Sequence, residues 1–276
     1  MKKIKSYLGN PFEFHKKVVN SLNVKSEEKK LRIKSEESTI NTLYLDYSSK
    51  FQSHDLVNLS RSPYRKENQL HDNLISLYTS SRKDIKDLRL QLTTDDNNIL
   101  IDTCPNCTID KESSLDHIIP KEEFPEYSVN PINLIPCCST CNSKKNKYWK
   151  KSDGKLKFLN LYSTELPDVR YLFVSCSSKE DYKFEIQNPN GIPSELFEVI
   201  LSHYDNLELL HRFKKASGSI LSELETTIES NKEHGLNNQI IRSIVLSDYS
   251  KRSKINGVNY WKTVLVESII DYYLFV

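Results

Sequence analysis

Two Cys-x-x-Cys pairs, Cys104/Cys107 and Cys138/Cys141, constrain this chain more than any other feature of it. Four thiolates gathered in this way fill the tetrahedral coordination of Zn²⁺ and leave no open position, so the metal they imply is structural. The stretch between the pairs is longer than in a compact zinc ribbon, and closing it with a metal leaves room for a small functional unit inside the loop. Free thiols or a pair of redox motifs are the alternative for such spacing. Two pairs of matched spacing among only six cysteines favour the metal. Of the remaining thiols, Cys137 is expected beside the knuckle, and Cys176, after the apolar run Tyr171 to Val174, as a small buried residue.

Inside the loop lies Leu115-Asp116-His117-Ile118-Ile119-Pro120, then Asn133-Leu134, and directly after the last cysteine Asn142-x-x-Lys145. Asp116 supplies a hard carboxylate and Asn142 a hard amide oxygen, donors that suit Mg²⁺ or Mn²⁺ better than Zn²⁺. His117 is the natural general base, because an imidazole titrates near working pH. In order and spacing the stretch resembles the zinc-stapled HNH, or ββα-metal, endonucleases; the resemblance covers about a sixth of the chain. It implies a phosphodiester hydrolase in which Asp116 and Asn142 hold one catalytic ion and His117 activates water. Asn133 would then bond the backbone of the His117 loop and orient it, although a turn asparagine before a buried Leu-Ile pair explains Asn133 nearly as well. Asn130 and Asn146 are weaker substitutes for Asn133 and Asn142. Many members carry His where this chain has Asn142, and an amide cannot titrate, so metal binding should depend less on pH around neutrality.

The resemblance also implies a context. Stand-alone proteins of this kind are often bacterial and act in restriction or antiphage defence beside a partner ATPase or sensor, and this chain carries no P-loop of its own. DNA is the expected substrate, with 5′-phosphate and 3′-hydroxyl ends. An RNA-directed nuclease of the same mechanism is an alternative, since a phosphate-reading site ignores the sugar unless something contacts the 2′-hydroxyl. A non-catalytic zinc-knuckle protein that holds nucleic acid or a partner is the other.

The net charge is only +2 over 276 residues, so any nucleic-acid contact rests on local patches rather than a uniformly basic surface. Lys144, Lys145, Lys147, Lys150 and Lys151 follow the last cysteine and are candidates for backbone phosphate contacts. Lys25 to Lys34 carries five basic residues near two glutamates and reads as a solvated helix face, with phosphate contact as the alternative; Ser60 to Lys66 reads as a basic connector. No apolar run reaches membrane-spanning length and no apolar segment follows the first lysines, so a soluble cytoplasmic protein with no membrane partner is expected.

These features predict an α+β chain, mainly helical, around a central ββα-metal module with a structural zinc. The expected divisions are a helical region over 1–95, the nuclease module over 96–155, and a mixed then helical region over 156–276. Two or three helices are expected before the module, in segments such as 38–58 and 67–92, with a turn at Asp95 to Asn98. The module should hold a short hairpin bearing Asp116 and His117, an irregular loop from Lys121 to Pro131, and a helix opening near Cys138 with Asn142, Lys145 and Trp149 on its first turns. Beyond it, strand-like alternation marks Leu156–Leu161, Tyr171–Ser175 and Lys183–Ile186. Ser194 is a candidate N-cap for a helix running through Leu207 and Leu210, followed by helices near 215–230, 237–248 and 258–275. His203, His211 and His234 have no metal-like spacing and read as structural or surface residues.

Overall fold

A computed structural model describes residues 1–95 and 97–275. Asp96, within the expected turn, and Val276, at the end of the closing segment, lie outside the described residues. About half of the chain is helical, with two small antiparallel sheets, an α+β arrangement carrying the zinc-framed module in its middle. Two compact units emerge, one from residues 3–105 and 110–165, the other from residues 1–2, 106–109 and 166–276.

The first unit opens with α1 (Pro11–Asn20), α2 (Glu27–Ser35), α3 (Glu37–Gln52), α4 (Leu70–Ile75) and α5 (Lys83–Leu92), more and shorter helices than the two or three expected. Asn10 starts α1 by accepting from the Phe12 and Glu13 amides, with Pro11 preset for the first turn. The segment expected as one helix over 67–92 is two, because Thr79, Ser80 and Ser81 form a polar connector after the buried Leu77, residues whose side chains favour turns over helix interior. Asp95 Oδ1 accepts from the amides of Asn97 and Ile99, an Asx turn that leads into the module.

The module itself is β1 (Ser114–His117) paired antiparallel with β2 (Leu134–Cys137), then α6 (Ser139–Lys145). Its loop is sewn to the helices by aromatic rings: Tyr127 lies 4.8 Å from Tyr47 and 5.7 Å from Tyr44, both fully buried on α3. Leu115, Ile119, Val129 and Leu134 join the same core, so the strands bearing Asp116 and His117 are fixed by burial against the helical layer and not by the small hairpin alone. The expected strand Leu156–Leu161 is absent. Phe158 through Tyr162 are buried without alternation, and Asn160 folds the segment back by accepting from Tyr162 N, so this stretch runs through the interior as irregular chain.

In the second unit β3 (Leu172–Cys176) pairs with β4 (Tyr182–Ile186), covered by α8 (Leu209–Glu233) and α10 (Trp261–Leu274), with α7 (Ser194–Asn206) and α9 (Asn238–Asn256) outside them. Trp261 stacks on Phe213 at 5.3 Å in its core. The helix expected to run from Ser194 past Leu210 breaks at Glu208, which takes a left-handed conformation. Leu207 and Leu209 are both buried, and two residues about 200° apart on one helix cannot share a core face, so the chain turns between them. Pro193 occupies the N-cap position, and Ser194 is already helical. His203 is fully buried, and Cys176 is only half-buried, its thiol donating to the Ser178 carbonyl. Among the described residues no helix is long and apolar enough to cross a membrane.

Candidate active site

The four sulfur atoms of Cys104, Cys107, Cys138 and Cys141 lie within 4.8 Å of one another, all buried. A tetrahedral zinc with bonds near 2.3 Å separates its sulfurs by about 3.8 Å, so the cluster fits that ion. Two local devices suit thiolates. Cys138 caps α6 through its sulfur, which accepts from Cys141 N at 3.4 Å, and the helix N-terminus favours negative charge there. Cys137 lies on β2 within reach of Cys104 and Cys141; its hydrogen bond to Cys104, with burial, holds its thiol well above the usual range.

Asp116 and His117 sit at the end of β1, opposite Ile135 and Leu134. Together with Asn142 from α6 they line one open cleft of about 770 Å³, whose other walls include Tyr78, Ser114, Lys121 and Lys147. His117 Nε2 lies 2.9 Å from the Ser128 carbonyl. A carbonyl can only accept, so Nε2 carries the hydrogen and Nδ1 is left as the basic nitrogen. Burial pushes the imidazole down to about 3, so it does not titrate near working pH as the sequence implied: it stays neutral and able to accept a proton, as a weaker base than a free imidazole. The Asn133 carboxamide, also fully buried, accepts from Ile119 N at 2.9 Å and donates to the Ile119 and Tyr127 carbonyls, while Tyr47 donates to its oxygen at 3.0 Å. It thereby ties both ends of the loop that presents the Ser128 carbonyl.

Burial raises the Asp116 carboxyl above its ordinary range, opposed by the Lys145 ammonium 3.0 Å from Oδ2. Among the described residues Lys145 is the one cation that meets this buried carboxylate oxygen. Asn142 donates through Nδ2 to Ser114 Oγ at 3.2 Å, which leaves its amide oxygen to accept. A carboxylate and an amide oxygen on one cleft form a hard donor set that fits Mg²⁺ or Mn²⁺.

The HNH endonuclease family profile matches residues 104–148. This segment is an HNH endonuclease domain. Among curated proteins the chain is similar to Protein ea31 of Escherichia phage lambda, 24% identical over 181 residues, 61% of this chain and 61% of that protein. It is also similar to Septu protein PtuB of Bacillus thuringiensis, 23% identical over 150 residues, 52% of this chain and 58% of that protein. The chain thus spans about three fifths of the length of these curated relatives. No solved structure matches it.

The lysines that follow the HNH cysteines divide sharply. Lys147 is exposed and lines the cleft. Lys145 does not face solvent: it is buried, paired with Asp116, and donates to the His117 carbonyl. Lys150 donates to the Val57 carbonyl and lies 4.2 Å from the Trp149 ring, and Lys144 and Lys151 are half-buried. Asn146 ends α6 with φ 49°, so Trp149 lies beyond the helix that was expected to carry it. Asn130 starts the turn before Asn133 by accepting from Ile132 N.

Among the cleft residues that the sequence did not single out are Lys121 and Tyr78. Lys121 directly follows the Pro120 of the Asp-His segment and could have been found by adjacency. Tyr78, far away in sequence, gave no signal: its ring lies edge-on 4.7 Å from His117, and its hydroxyl donates to the Leu115 carbonyl at 2.6 Å. Lys145→Met removes the counter-charge of a buried carboxylate and should cost about 3–5 kcal/mol. Adding Asp116→Asn should recover at least half of that loss, a coupling that urea denaturation of the three variants measures. Strictly additive losses would show that the pair is not a coupled ion pair.

Proposed function

We propose that this chain is a metal-dependent endonuclease that hydrolyses DNA phosphodiester bonds through its HNH domain. The observation that carries this reading is a neutral His117, its Nε2 tied to a carbonyl and its Nδ1 left to accept, in the same cleft as Asp116 and Asn142. His117 Nδ1 takes a proton from the attacking water. The oxygen adds to phosphorus, the bond to the 3′ oxygen breaks, and that oxygen gains a proton from solvent, leaving 5′-phosphate and 3′-hydroxyl ends. Asn133 acts as a positioning residue, because it fixes the loop whose carbonyl sets the His117 tautomer. Asp116 and Asn142 would hold Mg²⁺ or Mn²⁺, and a bound divalent cation supplies charge neutralisation at the phosphate and leaving oxygen. Lys147 and Lys121, on the cleft wall, supply positive charge for the substrate backbone.

The setting we propose is bacterial defence or restriction, beside a partner ATPase or sensor. The family resemblance and the similarity to a Bacillus thuringiensis Septu protein PtuB and a phage protein support it.

Protein stripped of hard cations with EDTA, with its zinc retained, should be inactive on plasmid DNA. It should regain cutting with Mg²⁺ or Mn²⁺ but not with added Zn²⁺. Full activity without either hard ion refutes the Asp116–Asn142 assignment. Parallel digestion of single-stranded DNA and RNA decides the substrate, and cutting confined to RNA overturns the DNA reading.

A further inference from the structure

The seven residues from Ser76 to Arg82 between α4 and α5 do more than connect helices. Tyr78 and Ser80, in their middle, line the catalytic cleft. At their two ends the chain brings cations together. Lys29, on α2, donates from Nζ to Ser76 Oγ at 2.6 Å, and Arg82 donates from Nη1 to Ser21 Oγ at 3.4 Å. The Lys29 ammonium is held below its ordinary range by burial and then by the Arg82 charge, so the two side chains feel each other. Neither has a carboxylate within ion-pair distance among the described residues; the neighbouring acid, Asp84, is taken by Lys17 at 3.4 Å and by Ser21 Oγ at 2.7 Å. Arg82 Nε is buried with no hydrogen-bond partner.

Two half-buried like charges placed together without an acid cost folding free energy, and an anion seated between them removes that cost. Position points to which anion: Tyr78 and Ser80, between the two cations along the connector, line the same cleft as His117, so the anion brought to this connector is a phosphate of the strand that enters the cleft.

We propose that Lys29 and Arg82 form a second phosphate-holding point for the DNA strand whose scissile phosphate lies at His117, the strand passing over the Ser76–Arg82 connector. The inference rests on the nuclease reading above and assigns the helical region before the HNH domain a direct part in substrate binding. Phosphate contacts of this kind fix register without reading sequence.

The test uses full-length, zinc-loaded His117→Ala protein, which should bind without cutting, and a fluorescent 24-base-pair DNA duplex in Mg²⁺, followed by anisotropy across a salt series. Each phosphate contact contributes about 0.9 to the slope of log affinity against log salt. Lys29→Gln and Arg82→Gln together should therefore flatten the slope by about 2 and weaken binding at least about tenfold at 0.1 M salt. Arg82→Lys, which keeps the charge, should retain most of the slope, and it guards against a loss caused by misfolding. A parent that binds with a slope unchanged in the Gln variants overturns this inference and leaves the nuclease reading standing. A parent that does not bind DNA at all overturns both.

Discussion

Cys104→Ser protein should retain no zinc and should lose the cooperative melting of the HNH domain, whereas the unsubstituted protein should carry a single tightly held zinc. The expected effect is the largest in the molecule. Structural zinc sites contribute about 10–16 kcal/mol of apparent binding free energy, against a total stability of about 5–15 kcal/mol for an ordinary domain. The four buried sulfurs, with Cys138 capping α6 and Cys141 N donating to it, place that free energy where β2 passes into the helix carrying Asn142. A lost thiolate therefore releases the helix from the hairpin. Metal content by atomic emission and thermal melting followed by circular dichroism check this. Unaltered melting in zinc-free protein would contradict the four-thiolate site, and Cys141→Ser, from the other pair, should behave alike.

The second large effect is chemical. His117→Ala should reduce cutting by about 10²–10⁴-fold, the usual worth of a general base, while zinc content stays full and the melting temperature shifts by only a few degrees. The fold tolerates the change because β1 is anchored by Leu115 and the following loop by Ile119 and the Asn133 carboxamide. Single-turnover cleavage of plasmid DNA with saturating Mg²⁺ is the measurement. An unchanged rate removes His117 from the mechanism. It would also favour the zinc-knuckle alternative if activity proved to be absent from both proteins.

Much of the site was legible because metal chemistry restricts residue type and spacing locally. Four thiolates in two pairs, a hard carboxylate beside an imidazole, and an amide just after the last cysteine are all carried within 104–148, the segment the HNH family profile covers. The hairpin and helix of that segment could be placed for the same reason. Lys145 shows where that reasoning stops. Its place in a basic run suggested a phosphate contact, yet its ammonium is buried against Asp116 and the His117 carbonyl. Helical phase alone does not say which lysine of a run turns inward; the position of β1 does.

Outside the module, periodicity located most helices but not their breaks. The turn at Glu208 arises where Leu207 and Leu209, on opposite sides of a continuous helix, must reach the core together, and the connector at Ser76 to Arg82 coincides with the polar run Thr79 to Ser81, whose side chains favour turns over helix interior. Residues 158–162 are buried without alternation and pair with no strand of either sheet, so they run as irregular chain where local alternation suggested a strand.

The sequence by itself determined the four-cysteine cluster, the identity of the HNH segment and the donors available for a hard cation, because coordination chemistry restricts the residue types that can serve and the motif orders them within 104–148. Only the tertiary structure decided which nitrogen of His117 is basic, what counters the charge of Asp116, and that Tyr78 lines the cleft. Those outcomes depend on burial and on partners that only folding brings close, Ser128, Lys145 and Leu115 beside Tyr78, and local residue order carries no record of either.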